Sequence, residues 1–563
     1  MKRACLFFLT LILCGSVHSA LVLEGDDEAI RLLKPYLPTN AKRSQYRILA
    51  NDILATEGYF SPTITFKRQG NRDLKMTVTL GKRVKVALAM IEIVDENNRS
   101  MTDDEKAPFL KDWALNKGAY FRQDLWSSGK QAILSALISR HWADAKLVNS
   151  FADVSLEDSS VRLYLVYETG PKYTMGEMSV EGLYRYSPKV VERYHTTLLK
   201  NEPYDVNAIT NFQNALQSSP YFGNARITTH QENATDILDE NGKPTGKKIL
   251  PFSLKVTERP AHIFGAGVGY STNTGARVEG QYTTANFLNQ ALALESALRL
   301  EEKQQAIMAD VFFLPRPNQH QMGAGTIIEN SRIEGLKILR YAAGLQDVWT
   351  KNNIERKLSI TWQKERWRAS GSSLVHHAHA LAPGFQWTWR KTQALFHGFV
   401  FQVNADVASK NFASKQDFAR LYLRGQHFLN VSAKNQLILR YDLGRTFSKS
   451  KEGVPQEYLF RTGGTGSIRG YTYKSLGAKE GTATIGAKNV TVASAEWIHW
   501  LTDQWGVAAF VDTGNAWDNK IDLHTGAGFG ARWKSPAGPL GVDLAYGFKE
   551  KDIELHFALN IPF

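Results

Sequence analysis

The 563-residue sequence predicts three small α+β modules in tandem, followed by a transmembrane antiparallel β-barrel of about sixteen strands. Three observations carry this. The chain opens on an export leader and holds no long apolar helix. Its N-terminal half repeats a helix and a strand pair about every 80 residues. Its C-terminal half changes to alternating strands and ends on a strict period of two.

The leader has a basic start, Met1-Lys2-Arg3, an apolar run over 4–13 and small residues before Ala20. Val17 and Ser19 fit the −3 and −1 positions, so residues 1–19 read as a signal peptide. Leu13 makes a poor context for lipidation at Cys14. Both cysteines, Cys5 and Cys14, fall in the leader. A mature chain without cysteine is no disulfide scaffold and has no thiol nucleophile or thiolate ligand. No run of eighteen apolar residues follows, which excludes a helical membrane protein but not a barrel, whose spanning strands alternate. The formal charge of +13 suits an anionic surface. No basic run with interleaved aromatics is present, and with export this leaves nucleic acid out as a partner.

The first module, 20–94, has a helical pattern over 46–57 closed by Gly58, then strands over 63–66 and 74–80 about a turn at 70–73. The second, 95–168, repeats this with a helix over 125–139 and strands over 145–151 and 161–167. The third, 169–258, has a helix over 206–218 and strands over 225–229 and 249–256, separated by a polar hairpin insertion at 231–248. Tyr59, Trp142 and Tyr221 follow the three helices at spacings of 83 and 79 residues. Open strand edges on such modules accept extended chains by β-augmentation, a binding role without catalysis.

Beyond 259 the candidate strands are 264–271, 275–282, 291–300, 306–314, 336–343, 357–363, 384–390, 398–408, 418–430, 436–442, 491–499, 506–512, 526–533, 540–548 and 553–563. The 302 residues of 262–563, divided by sixteen, give about 19 per strand and connection. Trp387, Trp389 and Trp497 suit interfacial girdles. In the last strand Ile553, Leu555, Phe557, Leu559, Ile561 and Phe563 share one face; Asp552, Glu554, His556 and Asn560 share the other.

Two carboxylates fall on the face away from lipid. Asp512 opposes Val507, Ala509 and Val511, and Glu496 opposes Trp497. Acids turned into a lumen need a cation. The glycine-rich segment 460–471 supplies Arg469, whose planar fork engages carboxylates bidentately. A rival reading makes Glu496 and Asp512 the acid and base of a hydrolase, though no cleft motif surrounds them. His376, His377 and His379 are metal-ligand types, but a solvent-facing histidine-rich loop is the commoner case. No GxSxG, HExxH or Walker pattern supports an enzyme, and no cofactor is expected.

Three segments together resemble the Omp85 superfamily. They are 460–471, with Gly463, Gly464, Arg469, Gly470 and Tyr471 as its "GG…RGY" loop; 510–514, as its "FxDxG" strand end; and 528–539, as its "GxGxR…SPxGP" segment. The resemblance implies three POTRA domains before a sixteen-stranded barrel. Module number and a mature length of 544 residues (563 − 19) are similar to the TamA type within the family, the outer-membrane subunits of translocation and assembly modules. The short opening strand at 21–24 departs from that pattern.

The resemblance implies a non-enzymatic outer-membrane machine without ATP or metal. Arg469 would fold back into the lumen onto Glu496 and Asp512. The first and last strands would meet at a weak seam, where Pro562 lacks a donor. The POTRA domains would lie in the periplasm and meet a TamB-like inner-membrane-anchored partner. Autotransporters and other outer-membrane proteins would be clients, with outer-membrane lipid around the barrel. The competing expectation is a two-partner-secretion-type pore that threads unfolded substrate. A soluble secreted β-rich binding protein is third, and the aromatic terminus argues against it.

Overall fold

A computed structural model of the chain describes residues 21–38, 41–69, 73–195, 197–316, 320–392, 397–536 and 538–559. The expected leader, most of the turn at 70–73, and Ile561, Pro562 and Phe563 lie outside these residues. No helix among them is long and apolar enough to cross a membrane. The chain divides into two compact units, one of 1–181, 197–214 and 226–255, the other of 182–196, 215–225 and 256–563.

In the first unit the α+β modules share one construction: a leading strand lies parallel to the last strand of its sheet. Leu21–Gly25 pairs with Asp73–Thr79, which also pairs antiparallel with Thr63–Gln69. Tyr46, Ala50 and Leu54, four apart on helix Arg43–Thr56, bury one face against Met76 and Val78. Lys85–Val94 pairs with Ser160–Glu168, flanked by Lys146–Ser155. Trp126, Ile133 and Leu137 of helix Gln123–Ile138 join that core. Gly129 lets Trp113 approach, since a Cβ there would lie 2.8 Å from its ring. Lys172–Glu181 pairs with Pro244–Glu258, which also takes the hairpin strand Thr235–Leu238.

The sequence reading lacks the leading strands Lys85–Val94 and Lys172–Glu181 and the short helix Asp27–Leu33. Parallel strands covered on a face read as near-continuous apolar runs, and KVALAMIEIV offers no clean alternation. Lys85–Val94 lies in the second sheet, so the division between the first two modules falls before it and not at 94.

The second unit holds a sheet of sixteen strands, each antiparallel to its sequence neighbour. The first eight are β1 (Ile263–Ser271), β2 (Gly275–Phe287), β3 (Leu292–Glu301), β4 (Gln304–Phe312), β5 (Gln321–Ile333), β6 (Leu336–Lys351), β7 (Ile354–Ala369) and β8 (His376–Thr392). The others are β9 (Gly398–Ala408), β10 (Phe418–Asn430), β11 (Asn435–Phe447), β12 (Asn489–Trp500), β13 (Trp505–Trp517), β14 (His524–Ser535), β15 (Gly538–Gly547) and β16 (Asp552–Leu559). Side chains alternate across the wall. Val507, Val511, Phe529, Ile553 and Leu555 are exposed outward, while Phe510, Asp512 and His556 are buried on the other face.

The sequence reading passes over β5, where Gly323, Gly325 and Glu329-Asn330-Ser331 interrupt the apolar pattern. It also places the histidines wrongly. His376, His377 and His379 open β8 and are no solvent-facing loop. The His376 ring stacks on Trp367 at 3.8 Å, and its Nε2 meets Glu480 Oε1 at 2.8 Å.

Candidate functional site

The connection 448–488 between β11 and β12 folds back against the inner wall at three places. Val454, Tyr458 and Leu459 pack with Ala380, Ala382, Ala408 and Phe418 of β8, β9 and β10. Phe460, Ile468, Tyr471 and Leu476 pack with Val490, Val492 and Ala516 of β12 and β13. Ala483 and Ile485, on a small hairpin, pack with Leu336, Ile338, Trp367 and Ala369 of β6 and β7. Burial of these side chains, rather than local secondary structure, keeps so long a segment ordered inside the barrel.

Arg469 sits at the centre of the second contact and is 2 % exposed. Its Nε and Nη2 donate to Asp512 Oδ2 and Oδ1 at 2.7 and 3.0 Å, and its backbone N–H donates to Oδ2 at 3.0 Å. Nη1 donates to Glu496 Oε2 at 2.6 Å and to Asp543 Oδ2 at 3.0 Å. The guanidinium lies 3.4 Å from the centroid of the Phe510 ring. Arg532 grips the same acids from β14: its Nε is 2.9 Å from Glu496 Oε1 and its Nη1 2.5 Å from Asp543 Oδ1. Arg440 lies 3.8 Å from Asp512 and donates to Ser494 Oγ at 3.1 Å. Three arginines thus balance three carboxylates, as buried charges require.

Asp512, with no exposed surface, also accepts from Ser494 Oγ at 2.6 Å. Its four acceptor positions are then all used. Neither oxygen is free for general acid or base work, which argues against the hydrolase reading of Glu496 and Asp512.

Glycines on the inner face of β14 make room for this loop. A Cβ at Gly526 would lie 1.9 Å from the Arg469 carbonyl oxygen, and one at Gly528 would lie 2.7 Å from the Phe510 ring. In the loop, Gly463, Gly464 and Gly470 have φ of +106°, +92° and +85°, a region that favours glycine. Gly464 N–H donates to the carbonyls of Ile468 and Tyr471, which closes the tip on itself. Tyr471 is buried and its hydroxyl donates to the Thr525 carbonyl at 3.1 Å. Gly526→Ala is expected to displace the Arg469 backbone, lowering stability by about 1–3 kcal/mol. Limited proteolysis within 461–476, absent from the parent protein, is the check.

The loop reaches both ends of the sheet. Toward β16, Gly470 N–H donates to His556 Nε2 at 2.8 Å and Thr472 Oγ1 donates to Glu554 Oε1 at 2.6 Å. Toward the β1–β2 turn, Asn273 Nδ2 donates to Thr465 Oγ1 at 2.9 Å. Between those ends no backbone ladder joins β1 to β16 among the described residues. The contact found there is Phe557 N–H donating to Thr272 Oγ1 at 3.2 Å. On the outer face of β1, Phe264 and Val268 are 77 % and 85 % exposed.

Arg469, Glu496 and Asp512 are therefore in direct contact, and Gly463, Gly464, Gly470 and Tyr471 shape the segment that carries Arg469. Ile553, Leu555 and Phe557 lie on β16, and Leu559 ends it. Sequence reasoning left Asp543, Arg440, Asn273 and His556 without a role. Asp543 was within reach: it faces away from the exposed Val542, Leu544 and Tyr546 by the parity that singles out Asp512. His556 lay in plain view on the polar face of the last strand.

The Omp85 superfamily domain matches residues 261–561, which is 301 of 563 residues. Among solved structures, BamA from Haemophilus ducreyi lacking POTRA domains 1–3 is similar at a TM-score of 0.65 and 16 % identity, over 84 % of this chain and 98 % of that one. CdiB from Acinetobacter baumannii matches at a TM-score of 0.46 and 12 % identity, over 85 % and 90 % of the two chains. At such identities the BamA likeness is one of fold: α+β POTRA domains before a sixteen-stranded antiparallel barrel. With the family domain covering more than half of its length, the chain belongs to the Omp85 superfamily.

Proposed function

We propose that this chain is a non-enzymatic outer-membrane assembly factor of the TamA type, helping autotransporters and other β-barrel proteins into the membrane. The observation that carries the reading is a β1 edge with no backbone ladder to β16 among the described residues, together with a lumen occupied by 448–488. An open strand edge templates incoming strands by β-augmentation. An occupied lumen disfavours the rival two-partner-secretion route, in which unfolded substrate passes along the barrel axis. In this reading Arg469, Glu496 and Asp512, with Gly463, Gly464, Gly470 and Tyr471, seat the loop. The strand β16, with Ile553, Leu555, Phe557 and Leu559, forms one lip of the seam. The α+β modules serve as periplasmic POTRA domains facing a TamB-like inner-membrane-anchored partner.

Cross-linking and co-purification from membranes of cells carrying the protein tests this. The expected product is a large inner-membrane partner cross-linked through residues 21–258. Absence of that partner, together with a secreted substrate trapped in the lumen, would refute the assembly reading.

A further inference from the structure

A cleft of about 420 Å3 opens in the first unit where 95–109, 140–142, 170–172 and 245–247 come together. Met101, Phe109 and Trp142 form its apolar lining, with Phe109 edge-on to Trp142 at 5.5 Å. Arg140, Lys172 and Lys247 bring three cations to it. Lys172 Nζ sits 5.5 Å from the centroid of the Trp142 ring. Lys172 and Lys247 are also register partners on adjacent parallel strands. Like charges held opposite one another repel, and none of the three cations has a carboxylate within ion-pair distance among the described residues. By contrast Arg99, on the same rim, is satisfied by Asp95 at 3.2 Å and Glu105 at 3.1 Å.

The backbone that presents this wall is fixed. His141 has a φ of +65°, uncommon for a side chain other than glycine. Its N–H donates to the Tyr204 carbonyl and its own carbonyl accepts from Tyr173 N–H, both at 2.8 Å. The Glu96 carboxylate lies over Gly246, the residue before Lys247, where a Cβ would be 1.8 Å from Oε1. Burial, with Asp95 beside it, raises the Glu96 pKa.

We propose that this cleft binds an extended acidic peptide segment. Its carboxylate is seated among Lys172, Lys247 and Arg140, and an adjacent aromatic side chain lies on Phe109 beside the edge of the mostly buried Trp142. The bound anion relieves the Lys172–Lys247 repulsion, and Glu96, over Gly246, accepts from peptide N–H groups. The volume suits one large side chain with a short length of backbone; the paired acyl chains of a phospholipid do not fit it. The site stands on its own geometry, whatever the barrel does.

The test uses the full chain in detergent, labelled with 5-fluorotryptophan, with the Trp142 resonance assigned by its loss in Trp142→Phe. The probes are N-acetylated, C-amidated Phe-Asp-Phe-Asp, its Phe-Asn-Phe-Asn counterpart, and dihexanoyl phosphatidylglycerol below its micelle concentration. The acidic peptide should shift the Trp142 signal saturably. The affinity should fall about tenfold or more for the Asn peptide, and likewise in Lys172→Gln/Lys247→Gln and in Arg140→Gln. Equal response to both peptides, undiminished binding in all three substitutions, or no shift at all overturns the proposal. A shift with the lipid but not with the peptide overturns it in favour of a phosphate site.

Discussion

Arg469→Ala is expected to abolish assembly activity while the sixteen-stranded sheet persists. The substitution removes the group that contacts Asp512, Glu496 and Asp543 at once and leaves three inward carboxylates facing only Arg532 and Arg440. Deleting one partner of a buried ion pair costs about 3–5 kcal/mol, because the remaining charge is uncompensated. The loss is local. The barrel ladders do not pass through the loop, and 454–459 and 483–485 keep their own apolar anchors. The variant should therefore still migrate heat-modifiably on a gel while 461–476 becomes open to protease. Arg469→Lys should recover little, since an ammonium cannot reproduce the bidentate grip on Asp512. Adding Asp512→Asn to Arg469→Ala should restore stability in part, by removing the stranded charge, without restoring activity. Full activity in Arg469→Ala would contradict the role given to the loop.

The second large effect is expected from tethering the loop to the β1–β2 turn. Thr465 and Asn273 already touch there, while Gly470 and Thr472 hold β16 through His556 and Glu554. Moving β1 away from β16 therefore requires the loop to release one end. With both native cysteines inside the expected leader, Asn273→Cys/Thr465→Cys places one reactive pair in the mature chain. Joined by a short reversible thiol cross-linker, this pair should block client insertion and regain it on reduction. Cross-linked protein that assembles clients at the parental rate would show that the contact takes no part in seam movement.

Much of the barrel was legible because its outer wall meets lipid. The rule that charge avoids that wall assigned Asp512 and Glu496 their inward face, and the period of two in β16 separated Ile553 and Leu555 from Glu554 and His556. The inner wall gives no such rule. Polar, glycine and apolar residues are all tolerated there, so β5 with Gly323 and Gly325 left little trace. Partners across the lumen were equally hidden. Arg469 and Asp543 are separated by 74 residues and meet only because the loop turns inward. The apolar residues that seat the loop, such as Val454 and Ile485, carry no periodicity that distinguishes them from a strand. In the first unit the longer helices, Arg43–Thr56 and Gln123–Ile138, showed through their four-residue spacing. The parallel strand Lys85–Val94 did not, because its partner lies beyond an intervening helix and strand.

The central claim is that clients meet this protein at the seam edge and do not pass along its lumen. Photo-cross-linking during client assembly in membranes tests it most directly, with a photoreactive amino acid placed at Phe264 or Val268 on β1 and at Thr361 on the inner face of β7. The account predicts client adducts from β1 and none from Thr361. Substrate adducts from Thr361 with none from Phe264 or Val268 would contradict it.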